Sequence, residues 1–253
     1  MTYQLDAIRK PFGPADLEPL LAESQIARTV VVQTVSSVRE TGEFLTLASK
    51  HDFIAGVVGW VDLTDRNAAR TIGQLQSGPA GNRLVGIRHQ VEDEADPDWL
   101  LQPDVQRGIA AVGHAGLAFD LLVRTRQLPA ATETVRRNPD VQFVLDHCAK
   151  PHVGAQDRPW MDEMARLAEL PNVFCKISGL VTEADWNAWT VEQVAPYIEL
   201  VTDWFGRERC MFGSDWPVCL LAAGYDQVVN LVREVAGDDE EIFGETAERV
   251  YGL

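Results

Sequence analysis

Seven apolar runs, each followed by an amphipathic stretch, recur from residue 29 to residue 213 and leave few folds open. The runs are 29–34 (TVVVQT), 55–61 (AGVVGWV), 84–89 (LVGIRH), 117–123 (LAFDLLV), 142–146 (QFVLD), 172–178 (NVFCKIS) and 210–213 (CMFG). Most are continuous rather than alternating, the pattern of strands covered on both faces. The segments 38–50, 66–76, 105–115, 128–137, 160–170, 191–205 and 225–235 carry helical periodicity between and after them, and 241–251 reads as a terminal helix. Such βαβ repetition predicts a parallel sheet with helices outside it, an α/β barrel. A closed (β/α)8 barrel needs eight strands. Ahead of Thr29 there is only one candidate helix, 15–23, so the first strand is the one expected to be missing.

The chain has 253 residues, 46% of them hydrophobic, enough for one large core. No linker-like stretch divides it, so residues 1–253 are read as one domain with an irregular segment at 1–14. Loops are expected at 78–82 (GPAGN) and 91–99 (VEDEADPDW). The formal net charge of -16 argues against nucleic acid and anionic membrane as partners. Four spaced cysteines without a CxxC read as reduced, buried thiols of a cytoplasmic protein. The N-terminus has no signal-peptide h-region, and no apolar run reaches the roughly 20 residues of a membrane span.

In a parallel barrel, polar residues just after the strands converge on one mouth. Here they are Gln33 and Thr34, Trp60 and Asp62, Arg88 and His89, Asp120, Asp146 with His147 and Lys150, Lys176 and Ser178, and Asp215. Asp215, in the turn GSDWP, reads equally as a helix cap or as a catalytic carboxylate. His147 alone reads more simply as a hydrogen-bonded structural histidine. Arg88 and His89 are open between pairing carboxylates below the rim and facing a ligand. Lys176 stands inside FCKIS, and a lysine is almost never buried without a partner, so a barrel-mouth cation is expected there. His51 and His114 lie at helix ends and His152 in a loop. Trp60 and Trp216, at strand ends, are positioned to stack on a ligand. Glu92, Asp93, Glu94, Asp96 and Asp98 are expected to form a solvated acidic loop.

The segments FVLDHCAKP (143–151), NVFCKISGL (172–180) and MFGSDWPV (211–218) resemble signature motifs of the amidohydrolase-2 family, in the branch of sugar lactonases and 2-pyrone-4,6-dicarboxylate lactonase. LVGIRHQV followed by DPDWL, LAFDLLV followed by QLP, and the ending FGETAERVYGL are similar to the same branch. The resemblance implies a (β/α)8 TIM-type barrel and a hydrolase that opens a lactone, a sugar-derived one such as L-fuconolactone or a related carboxylated one. It implies Asp215 as the general base and His147 as the group that polarises the carbonyl, alone or through a metal. It also implies substrate contacts from Arg88, His89 and Lys176. Some members hold a divalent metal, often zinc; here His147 and Asp215 match its ligands. The pyrone-dicarboxylate lactonase is similar in layout but works without metal.

One departure from the family pattern bears on all of this. Members open with a strand ending in an HxH pair, and no HxH occurs in this sequence. Met1 is therefore expected to be an internal methionine, by truncation or a misplaced start. Weak or absent metal binding is expected, since two ligands are fewer than the three usual for catalytic zinc. An open seam where the strand would lie favours a homo-oligomer. Two alternatives stay open: a metal-dependent decarboxylase of the same superfamily, and a catalytically impaired homologue that binds its ligand.

Overall fold

A computed structural model of the chain describes residues 5–155 and 157–253; residues 1–4 of the irregular N-terminal segment lie outside it. Its strands are β1 (Thr29–Val32), β2 (Ile54–Gly59), β3 (Leu84–His89), β4 (Ala118–Leu121), β5 (Phe143–Leu145), β6 (Val173–Ile177) and β7 (Cys210–Phe212). They pair in sequence order, all in parallel. The helices are α1 (Pro14–Glu23), α2 (Val38–Ala48), α3 (Ala68–Ser77), α4 (Pro103–His114), α5 (Leu128–Arg137), α6 (Arg158–Ala168), α7 (Val191–Phe205), α8 (Tyr225–Ala236) and α9 (Thr246–Tyr251). The result is a half-barrel of seven parallel strands. Among the described residues β1 and β7 pair on one side only and leave two free edges.

The period of two sorts each strand's side chains. Val57, Ile87, Phe119, Leu121, Phe143, Leu145, Cys175, Ile177 and Cys210 face the helices and fill the main core. Val58, Val85, Ala118, Val144, Phe174 and Met211 belong to a second cluster, completed by Val250 and Tyr251 of α9. The terminal helix thus crosses the floor of the half-barrel. Each of these large side chains removed from water stabilises the fold by about 1.5–3 kcal/mol. A third cluster, Leu21 of α1 with Tyr225 and Val229 of α8, gathers Phe53, Phe212 and Trp216 around it.

The strands are shorter than the apolar runs. Gln33, Thr34, Trp60, Val61, Leu122, Val123, Asp146, Ser178 and Gly213 fall beyond the strands, where the chain passes into the mouth loops. The loop at 91–99 is also less exposed than its composition suggests, since Val91 and Trp99 at its ends are buried in the core. All four cysteines are free and buried, as expected. No helix among the described residues is long and apolar enough to cross a membrane.

Candidate active site

The alternation that puts Cys175 in the outer core turns Lys176 inward, and the same geometry turns Arg88 and Asp120 inward as register partners on β3 and β4. A buried ionic layer results. Lys176 Nζ lies 3.0 Å from Asp120 Oδ2 and 2.5 Å from Asp146 Oδ1. Arg88 Nη1 donates to Asp146 Oδ2 at 2.7 Å, and its Nη2 donates to the Gln33 carbonyl oxygen. From the floor, Tyr251 donates its hydroxyl proton to Asp120 Oδ2 at 2.8 Å. Two cations face two carboxylates, which makes burial of four charges tolerable. Burial works against the charge on Lys176, but Asp120 and Asp146 outweigh it and hold the ammonium well above its usual pKa. Burial would raise Asp146 as well; Lys176 and Arg88 outweigh it and hold that carboxyl far below the ordinary range. Burial pushes Asp120 up, and Lys176 only partly opposes it.

Above this layer the chain leaves β5 in an unusual turn. His147, Cys148, Ala149 and Lys150 all have φ between 49° and 57°, the left-handed region that L-residues rarely occupy in succession. At about 1–2 kcal/mol per residue the turn costs roughly 4–8 kcal/mol. Several contacts offset this. Trp160 Nε1 donates to the Cys148 carbonyl at 2.7 Å, Lys150 Nζ reaches both Glu92 oxygens at 2.6 and 2.8 Å, and Cys148 and Ala149 are fully buried. The turn aims the imidazole of His147 across the mouth. Its Nδ1 meets Ser178 Oγ at 2.8 Å, and its Nε2 lies 3.7 Å from Asp215 Oδ1. Burial lowers the His147 pKa below the ordinary histidine value, with Asp215 and Asp146 opposing it. Asp215 is itself left-handed (φ 54°) and its carbonyl accepts from Cys219 N at 2.8 Å, so it starts the next turn while its side chain, 15% exposed, faces His147.

Gly179 lies close against the imidazole. At φ +66° a Cβ there would lie 2.8 Å from His147 Cγ and Nδ1, so only hydrogen leaves room for the imidazole. Gly179→Ala is expected to destabilise the fold by about 1–2 kcal/mol through backbone strain and to lower kcat by roughly 10²-fold through misplacement of the ring. Gly116→Ala is the control: its φ is +72° with no atom within 4 Å of the added carbon, so only stability should fall. Denaturant unfolding beside steady-state kinetics separates the two effects.

The structure therefore brings His147 and Asp215 together and sets Lys176 and Arg88 in the layer beneath them. His89 is placed differently. Trp60 Nε1, a donor only, gives its proton to His89 Nδ1 at 3.1 Å; His89 Nε2 then donates to Glu94 Oε1 at 2.7 Å. The imidazole also stacks on Trp99 with ring centroids 4.2 Å apart. Trp216 meets Phe12 edge to face at 5.2 Å beside the seam. The acidic loop needs correction: Glu92 ion-pairs with Lys150 and with Arg124 at 3.1 Å, and Glu94 holds His89, so both tie neighbouring mouth loops together. Their partners lie too far along the sequence, or on too irregular a loop, for spacing to reveal them. Tyr251 was likewise invisible, because the carboxylate it serves is 131 residues away.

His147 Nε2 and Asp215 Oδ1 are the two donors that could share a metal ion. No group of three or more His, Cys, Asp or Glu side chains able to hold a metal is found among the described residues. Two protein ligands do not make a catalytic zinc site, which takes three.

Residues 1–253 match the Amidohydro_2 family, described as amidohydrolase. The chain belongs to the amidohydrolase family. Within that amidohydrolase family it is 45% identical over 222 residues to an L-fucono-1,5-lactonase of Burkholderia ambifaria, an alignment covering 87% of this chain and 75% of the relative. It is 37% identical to an L-fucono-1,5-lactonase of Burkholderia multivorans, covering 98% and 88%. A crystal structure of a Burkholderia multivorans amidohydrolase with bound zinc superposes with a TM-score of 0.94 at 35% identity, covering 99% of this chain and 92% of that one. These similarities place this amidohydrolase in the lactonase branch.

Proposed function

We propose that this amidohydrolase opens the ring of a sugar-derived lactone, L-fucono-1,5-lactone first among candidates, with Asp215 as general base. The observation that carries the reading is the facing pair His147 and Asp215, 3.7 Å apart at the mouth, in a chain 37–45% identical to two L-fucono-1,5-lactonases. Asp215 takes a proton from water as the water oxygen bonds to the ring carbonyl carbon. The ring C–O bond then breaks, and Asp215 returns the proton to the leaving oxygen, giving a hydroxy acid. His147 is the second group that reaches the reacting atoms. Lys176 has three N–H groups and two carboxylate partners, which leaves one N–H for the oxyanion or a substrate hydroxyl. Arg88 adds positive potential from the same layer, its Nε being buried without a protein partner. The faces of Trp60 and Trp216 suit the apolar side of a sugar ring, and His89 acts through Trp60.

A further strand seated between the free edges of β1 and β7 would close the barrel, and an HxH pair at its C-terminal end would complete a metal site with His147 and Asp215. Without such ligands zinc binding is weak: the dialysed 253-residue chain should retain well under one equivalent.

A lactone panel read with a pH indicator tests the function. It should contain L-fucono-1,5-lactone, other sugar lactones and 2-pyrone-4,6-dicarboxylate, run with and without added zinc. Acid release that is fastest on the sugar lactones is expected. Release of carbon dioxide instead, or no acid from any lactone under either condition, would overturn the reading.

A further inference from the structure

The last helix reaches the buried ionic layer through one hydroxyl. Tyr251 of α9 is 6% exposed, and its ring packs in the second cluster with Val58, Val85, Ala118 and Val144. Its hydroxyl donates to Asp120 Oδ2 at 2.8 Å, the same oxygen that accepts from Lys176 Nζ at 3.0 Å. Asp120 Oδ1 is buried as well and has no hydrogen-bond partner among the described residues. The carboxylate is thus held from one side, with two donors on one oxygen and none on the other. Left to themselves the two ions would pair differently. An ammonium has three N–H groups and can give one to each carboxylate oxygen, and a buried acceptor without a partner is destabilising. Lys176 has little room to adjust. Its stem lies against Gly213, where an added Cβ would be 2.9 Å from Lys176 Cγ and 3.0 Å from Cδ. The carboxylate is the part free to turn, because the last torsion of an aspartate is soft.

We propose that Tyr251 is a positioning residue: by pinning Asp120 Oδ2 it stops Asp120 from offering both oxygens to Lys176, and so keeps one Lys176 N–H for the lactone oxyanion. The proposal deepens the lactonase reading and rests on it for the part Lys176 plays. Without the hydroxyl, Asp120 turns about its Cβ–Cγ bond until both oxygens accept from Lys176. Asp146 Oδ1 already accepts another N–H at 2.5 Å. All three N–H groups are then taken up by carboxylates, and none is left for the reacting carbonyl. A helix at the floor of the half-barrel thereby sets a donor at its mouth.

The test is Tyr251→Phe in the full chain, a change that keeps the ring in its cluster. Its ligand-free crystal structure should show both Asp120 oxygens within about 3.2 Å of Lys176 Nζ, where the wild type has Oδ2 alone. The kcat for lactone opening should fall roughly 10- to 100-fold, part of what a lost oxyanion donor costs. KM should stay within about twofold, because the interaction is made in the transition state. Loss of packing alone would not depend on Asp120, so a second background separates the two roles. Asparagine has a single acceptor oxygen and cannot take two N–H groups of Lys176 in this way. Adding Tyr251→Phe to Asp120→Asn should therefore change kcat by less than about twofold. An unmoved Asp120 in Tyr251→Phe, an unchanged kcat, or an equal fall in the Asp120→Asn background overturns the proposal. If Tyr251→Phe alone does not fold, the double variant measured against Asp120→Asn decides. The crystal structures need no substrate, so a wild type that opens no lactone refutes the lactonase reading and not the turn of Asp120.

Discussion

Asp215→Asn should lower kcat for lactone opening by about 10³-fold or more while leaving the fold intact. A positioned general base contributes typically 10²–10⁴-fold, and an amide in its place cannot take the proton. KM should change little, because the substitution removes an interaction made in the transition state. Stability should stay within about 0.5 kcal/mol, for two structural reasons. The carboxylate is not part of the buried ionic layer, and the residue sits at φ 54°, a conformation that asparagine accepts as readily as aspartate. A variant with near-normal kcat would remove Asp215 from the role of base.

Lys176→Met should have the largest effect on stability. Lys176 is the cation that Asp120 and Asp146 share, and both carboxylates are fully buried. Breaking such a network from one side leaves uncompensated charge and costs about 3–5 kcal/mol. For a chain of this size that is a fall in Tm of roughly 6–20 °C. The double variant Lys176→Met with Asp120→Asn should recover part of the loss, because one of the stranded charges goes with it. The pH dependence has a defined sign. The folded-state pKa of Asp120 is raised by burial, so its contribution is fully present below the ordinary value of 3.8 and is lost as pH rises through the raised value. Without Lys176 that rise grows, and the deficit relative to wild type should widen from acid toward neutral pH. An equal deficit at all pH values, or a double variant less stable than the single one, would place the network's role elsewhere.

The seven strands were legible because a parallel sheet covered on both faces demands uninterrupted apolar runs, and little else in a sequence of this length produces them. Their C-terminal ends were overread by one or two residues at Gln33–Thr34, Trp60–Val61, Leu122–Val123, Asp146, Ser178 and Gly213, since the apolar run does not show where the ladder stops and the mouth begins. His147, Asp215, Lys176 and Arg88 were legible as chemistry-bearing residues after strands. Their arrangement was not. The layered order, with Lys176 and Arg88 bound to Asp120 and Asp146 beneath the His147–Asp215 pair, depends on side-chain reach across four strands. The left-handed run from His147 to Lys150 has no propensity signal; it persists because Trp160, Glu92 and the core hold it. Ser178 was visible as a polar residue after β6, but its meaning comes from a ring and a carbonyl that only the fold brings within reach.

The central claim, that Asp215 activates water at the lactone carbonyl, is tested most directly by a single turnover in 18O-labelled water with the enzyme in excess over L-fucono-1,5-lactone. Mass spectrometry of the hydroxy acid should find one 18O in the product carboxylate from the first turnover, formed faster than in the Asp215→Asn variant and with no label in the protein. A first-turnover product that carries only 16O, with 18O appearing in Asp215, would make that residue a nucleophile and contradict the claim, as would ring opening no faster than in the variant.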